Sequence, residues 1–177
     1  MPRRPVAPTY RTSLTRRWTP RDAGLPRACW ILLNPSTAEA RPNGENDPTI
    51  RRCIGFSKTL GFGSMILVNI FAARATFPAD LKKLAHPVSE DGGPSNDRAI
   101  RRAVRNADTV IAAWGNHGTH LDRSTRVREM LSGTDVYCLG VTNIGEPKHP
   151  LYLAAKTKLV LLPSQGDASG SLISPGA

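Results

Sequence analysis

Cysteine is scarce in this chain. Three occur in 177 residues, Cys29, Cys53 and Cys138, isolated and odd in number. No C-x-x-C pair or His/Cys cluster is present, which argues against structural zinc and a four-cysteine iron–sulfur cluster. The expectation is a reducing compartment, no metal and no cofactor. No apolar run approaches the ~20 residues that a membrane span requires. The basic start, "MPRRPVAPTYRTSLTRRW", has no apolar stretch behind it, so it does not read as a secretory signal. A cytoplasmic location with no membrane partner is expected.

Several chemical signatures are also missing. No G-x-x-x-x-G-K-[ST] occurs, nor a G-x-G-x-x-G after a strand, which weakens nucleotide-triphosphatase and dinucleotide readings. Ser36 is not in a G-x-S-x-G elbow, which disfavours an esterase. No carboxylate pair lies near a predicted strand end, so two-acid glycoside hydrolysis is unsupported.

Acid itself is in deficit: 14 Asp and Glu stand against 24 Lys and Arg, a net charge of +10. Before Cys29 the chain carries Arg3, Arg4, Arg11, Arg16, Arg17, Arg21 and Arg27 against one acid, Asp22. A second group is Arg98, Arg101, Arg102 and Arg105. This distribution favours a polyanion, and nucleic acid is the commonest one in the cytoplasm. The bland alternative is a basic protein that merely stays soluble.

With 40% hydrophobic and 21% charged residues the chain is globular. The reading divides it into a flexible basic N-terminus (1–9), one domain (10–162) and a disordered small-polar tail (163–177). "YRTSLTRRW" (10–18) suits a short edge strand beside the next one. "ACWILLN" (28–34) is a continuous apolar run, as in a strand buried on both faces. "DPTIRRCIGFSKTLGFG" reads as a helix with Asp47 as N-cap, Pro48 at its first position and Gly61 as its stop. Further strands are expected over 65–70, 109–114 and 135–140. A polar loop should follow the second of the four, then a helix capped by Ser95 or Asn96. "LDRSTRVREML" and "PLYLAAKTKL" complete the helices. Such alternation implies an α/β layered domain with a largely parallel sheet. A monomer is expected.

In parallel sheets ligands bind beyond the carboxyl ends of the strands, so those ends locate a candidate site. They carry Asn34-Pro35-Ser36-Thr37, then Asn69, Phe71, Arg74 and Thr76, then Gly115, Asn116, His117 and Gly118, and finally Thr142, Asn143, Gly145 and "KHPLYL". An Asn amide presents both a donor and an acceptor, which suits a nucleobase edge. Histidine can stabilise charge developing on a leaving base. Each residue also has an ordinary reading. Asn34 could cap a turn, Asn69 could satisfy backbone, Phe71 could be core, and Tyr152 reads as packing. His117 and His120 could be loop surface, and Asp47 could be no more than a helix cap, although it could also activate water.

These stretches resemble a known superfamily. "WILLNPSTA" looks like the first motif of the uracil-DNA glycosylases, in the G-I-N-P-G form of the mismatch-specific branch. "MILVNIFAARATFP", "AAWGNHG" and "KHPLYL" are similar, in order, to the second, third and last motifs of the bacterial and archaeal branch. Ser36 stands where the first motif ends in glycine, and Leu33 where one branch has its acid. More narrowly, the run "LLNPSTA…NDPTIRRC…GP.ND…AWG…HPLYL" resembles a bacterial family of unknown function numbered sixteen forty-three. The resemblance implies a three-layer αβα sandwich with a four-stranded parallel sheet in the order 2-1-3-4. It also implies a flipped base at the strand ends.

By that resemblance Asn34 and His149 are catalytic: the first positions water against the sugar carbon, the second faces the base. Pro35, Ser36, Thr37, Asn69, Phe71, Asn116 and His117 would bind substrate. Arg16, Arg17, Arg74 and Lys148 would bind DNA. The expected activity is a DNA N-glycosylase that flips a damaged or modified base and hydrolyses its N-glycosidic bond. Two alternatives share the fold: a non-catalytic nucleic-acid-binding module, and a hydrolase of free modified nucleotides.

Overall fold

The computed structural model describes residues 8–36, 38 and 44–163. The expected flexible stretch 1–9 therefore falls mostly outside the described residues, as does nearly all of the expected tail.

The sheet is α/β in character, but six-stranded and mixed rather than four-stranded and parallel. Its strands are β1 (Leu14–Arg17), β2 (Arg27–Leu32), β3 (Ser64–Asn69), β4 (Thr109–Ala112), β5 (Val136–Cys138) and β6 (Val160–Leu161). They lie in the order β1-β3-β2-β4-β5-β6. The β3, β2, β4 and β5 strands pair in parallel, and β1 and β6 close the two edges antiparallel.

The apolar runs explain the centre. Along β2 and just beyond it, Cys29, Ile31 and Leu33 enter one core while Ala28, Trp30 and Leu32 enter the other. Side chains of successive strand residues point to opposite faces, so a run apolar throughout needs cover on both. The helices are α1 (Pro48–Thr59), a single turn α2 (Pro78–Leu81), α3 (Pro94–Arg105) and α4 (Arg123–Met130). Ile50, Cys53 and Phe56 of α1 cover one face; Ile100 and Ala103 of α3 and Val127 of α4 cover the other. All three cysteines are buried, and burial pushes the Cys29 thiol up to about 12. Trp30 donates its indole N–H to Ser57 Oγ at 2.9 Å, so this large core residue leaves no orphan donor.

The α1 boundaries follow local chemistry. Asp47 Oδ1 accepts from Ile50 N at 2.8 Å, with Pro48 at the first helical position. At the other end Gly61 takes φ +84°, Gly61 N donates to Lys58 O and Phe62 N to Ser57 O. These two bonds satisfy carbonyls that the ended helix leaves open.

Four expectations are corrected. The N-terminal strand is an edge strand, but its neighbour is β3 and not β2, with Leu14 opposite Leu67 and Arg17 opposite Ser64. Helix α3 is capped by neither Ser95 nor Asn96. Its N-cap is Gly93 and its first residue Pro94, and the Asp91 carboxylate accepts from Ser95 N at 3.0 Å. The loop after β3 contains α2, whose Leu81 is buried. The last predicted helix is only a 3-10 turn, Pro150–Tyr152, followed by β6. None of residues 154–159 is buried, so no apolar face is available to hold a helix there.

Candidate functional site

A cavity of about 490 Å³ opens beyond the carboxyl ends of the parallel strands. Each strand delivers residues to it. Asn34 and Ser36 follow β2, Asn69 ends β3, and Trp114, Gly115, Asn116 and His117 follow β4. Thr142, Lys148 and His149 come from the chain after β5, Asp47 from the α1 cap, and Arg11 from the segment ahead of β1.

Asn34 does two things at once. Its Nδ2 donates to Pro35 O at 3.0 Å and to Ala75 O at 2.7 Å, while Ala75 N donates to Pro35 O at 3.0 Å. The loops after β2 and β3 are thereby clamped together. Both donors being spent on backbone, the group left for a ligand or a water is Oδ1, an acceptor. Pro35 itself is buried and contributes its carbonyl to this clamp.

Asn69 is 1% exposed, and among the described residues neither its Nδ2 nor its Oδ1 has a hydrogen-bond partner. A buried polar atom without a partner costs roughly 1–3 kcal/mol. The backbone around it is nonetheless held firmly. Asn96 Nδ2 donates to Asn69 O at 2.9 Å and Ile70 O at 3.0 Å, and Arg123 Nε donates to Ile70 O at 2.7 Å. Arg123 is in turn fixed by Asp97 at 2.6 Å.

His149 sits in extended backbone just before the 3-10 turn, and its Nδ1 accepts from Leu151 N at 3.3 Å. In the neutral ring that leaves the proton on Nε2 as a donor. Arg52 of α1 straps the following segment by donating to the Pro150 and Leu153 carbonyls. Burial pushes the His149 pKa below its ordinary 6.5, with Asp47 partly offsetting the shift. The unfolded chain then binds the proton more tightly than the folded one. The resulting contribution to stability is full above about pH 6.5 and is lost as pH falls through the lowered value. His149→Gln should remove that part of the acid sensitivity, read from urea midpoints between about pH 7.5 and 5. Parallel losses in wild type and variant would show that another group titrates.

Trp114 forms part of the wall. Its indole N–H donates to Glu146 Oε2, and Ser124 Oγ donates to Glu146 Oε1 at 3.0 Å. Gly118 is required beside it, because a Cβ there would fall 2.3 Å from the Trp114 ring. Arg11 is 7% exposed and donates through one terminal nitrogen to Ala38 O, and its Nε has no partner among the described residues. Burial and the like charge of Arg74 lower its pKa to about 10, against the attraction of Asp47. The Arg11 cation and the Asp47 carboxylate therefore share one wall.

The cavity brings together Asn34, Ser36, Asn69, Asn116, His117, Lys148 and His149 from among the residues expected at the site. Phe71 is not among them: it is fully buried in the core, its ring centroid 5.7 Å from that of His120. Thr37 lies outside the described residues. Arg74 is exposed and lines a shallow depression beside the cavity with Ser36 and Thr76. The expected DNA contacts of β1 are displaced. Arg16 is buried, its Nε donating to Asn46 Oδ1 at 2.7 Å and its NH2 to Gly44 O at 3.3 Å, so it holds its own loop. Arg17 is exposed but pairs in register with Ser64, at the opposite end of β3 from the cavity. Tyr152, expected to pack, is 83% exposed on the cavity rim.

Sequence reasoning missed Arg11, Trp114 and Glu146 and gave Asp47 only a minor role. The Trp at a strand end in "AAWGNHG" was the one signal that pointed to any of them. Among the described residues no group of three or more His, Cys, Asp or Glu could hold a metal ion. None of their helices is long and apolar enough to cross a membrane.

No curated protein and no solved structure matches the chain. Residues 11–151 match the model of the family described as "Protein of unknown function (DUF1643)", and the chain belongs to that family.

Proposed function

We propose that this protein is a DNA N-glycosylase that draws a damaged or modified base into the strand-end cavity and hydrolyses its N-glycosidic bond. The observation that carries the reading is Asn69, buried in the cavity wall with a donor and an acceptor both unmatched. A base edge offering the complementary pair removes that penalty, which gives affinity and selects the base together. Unstacking the base costs a few kcal/mol, least when it is damaged or mispaired. Counted among themselves, the parallel strands run 2-1-3-4, which supports the resemblance to the uracil-DNA glycosylases.

The chemistry needs three things from the chain. Asn34 Oδ1 accepts from a water and aims its oxygen at the sugar C1′, with the Asp47 carboxylate in the same cavity to take up a proton. The water oxygen bonds to C1′ as the C1′–N bond breaks, and the bonding electrons leave with the base. His149 Nε2–H donates to the departing base, a neutral donor to developing negative charge. Oligonucleotides carrying a panel of damaged or modified bases, followed by alkaline cleavage of abasic sites, test the reading. Release of at least one base is expected; binding without release across the panel supports the non-catalytic module.

Arg11 favours a second reading. A buried cation in the cavity wall, with Nε unpartnered, would suit the phosphate of a free modified nucleotide. Hydrolysis of nucleoside monophosphates, with oligonucleotides inert, would establish that reading over the first.

A further inference from the structure

A second concavity, of about 800 Å³, lies between α3 and the uncovered face of β1. Arg27, Arg98, Arg101, Arg102 and Arg105 line it, together with hydroxyl residues of β1 and the segment before it, and no acid does. Arg98 has Asp91 at 3.8 Å, but both side chains are largely exposed. The side chains of Arg101, Arg102 and Arg105 make no hydrogen bond or ion pair among the described residues. They differ in this from Arg16 and Arg123, which are buried and hydrogen-bonded to side chains and backbone of their own surroundings.

A local explanation covers only part of this charge. Cations in the last helical turn gain roughly 0.3–1 kcal/mol from the helix dipole, which accounts for Arg102 and Arg105. It does not account for Arg98 near the start of α3, for Arg101, or for Arg27 on the neighbouring strand. Like charges crowded into one groove repel, and the repulsion is relieved when an anion binds.

The groove also has a direction. Asn96, in the first turn of α3, bonds the carbonyls that end β3, so this turn lies at the cavity edge of the sheet. The far end of α3 passes to β4 where Asp108 N donates to Arg27 O, at the opposite edge. Between them the helix rises roughly 16 Å. Arg98, Arg102 and Arg105, at i, i+4 and i+7, form one stripe along that length.

We infer that this groove is a docking track for the sugar-phosphate backbone of a nucleic-acid strand, leading away from the cavity edge along α3. The occupant's identity rests on the base-excision reading above, whereas the groove's preference for anions does not. A linear polyanion fits better than a single phosphate, because the arginines are spread along a line and not gathered around a point.

The test compares wild type with the triple variant Arg101→Gln, Arg102→Gln, Arg105→Gln. All three positions are exposed, so the variant should keep the wild-type circular dichroism spectrum. Binding of a fluorescein-labelled single-stranded oligonucleotide is followed by anisotropy over a series of salt concentrations. Affinity at low salt should fall by about tenfold or more. The slope of log affinity against log salt should become shallower by about two, since each phosphate that the protein neutralises on a single strand contributes ~0.7. Unchanged affinity and slope would overturn the inference. So would polyglutamate displacing the oligonucleotide equally well at matched charge, since the groove would then be a site for any polyanion. If the variant binds more weakly but no substrate ever loses a base, the track stands and the excision reading falls.

Discussion

Replacing Asn34 with alanine should reduce base release by ~10²-fold or more, the usual scale for a positioned catalytic group. The chain should remain folded. The Nδ2 bonds to Pro35 O and Ala75 O that alanine removes are worth about 1 kcal/mol each, a modest part of a typical domain's stability. Asn34→Asp keeps the shape and an acceptor but places a carboxylate oxygen where the amide nitrogen lies 2.7 Å from Ala75 O. Two acceptors then face one another, so the aspartate variant should be less stable than the alanine one despite being closer in shape. Abasic-site formation under single-turnover conditions measures the chemistry, and urea midpoints measure the fold. Full base release by a folded Asn34→Ala would reduce Asn34 to a loop clamp and leave Asp47 and His149 to carry the reaction.

The sheet centre was legible because β2, β3 and β4 are short runs apolar on both faces, the pattern of a strand covered twice and too short for a buried helix. The α1 boundaries were legible for a local reason: Asp47, Pro48 and Gly61 carry their own capping chemistry. The edges were not. Pairing of β1 with β3 and of β5 with β6 depends on partners brought together by the finished sheet. A two-residue strand such as Val160–Leu161 leaves almost no periodicity to read. The meeting of Asn34, Asn69 and His149 at one cavity follows from the rule for strand ends and needed no knowledge of side-chain contacts. Arg11 and Asp47 obey no such rule. Arg11 reaches the cavity because its segment pairs with the chain just beyond β3, at Tyr10–Ala73, and Asp47 because the N-cap of α1 lies at the same edge. Charge counting misplaced Arg16 for a related reason: composition cannot distinguish a guanidinium in solvent from one spent on its own loop.

The largest loss of stability should come from Arg123. Its side chain is 5% exposed and that of Asp97 13%, with 2.6 Å between NH2 and Oδ1. Burial lowers the Arg123 pKa, and the hydrogen bond and charge of Asp97 oppose that shift. Arg123→Ala leaves the Asp97 carboxylate without its partner and frees Ile70 O from one of two donors. Removing one member of a buried pair costs ~3–5 kcal/mol, a large share of the ~5–15 kcal/mol that typically holds a domain together. The urea midpoint should drop accordingly with little change in slope. The double variant Arg123→Met, Asp97→Leu should recover much of the loss, because no unpaired charge stays buried. Its cavity should still be altered. Of the two side chains that hold the backbone beside Asn69, only Asn96 would then remain, so discrimination between bases should weaken more than overall stability does. A single variant losing less than about 1 kcal/mol would mean that solvent already reaches the pair. The strand end that carries Asn69 would then owe its placement to Asn96 and the sheet.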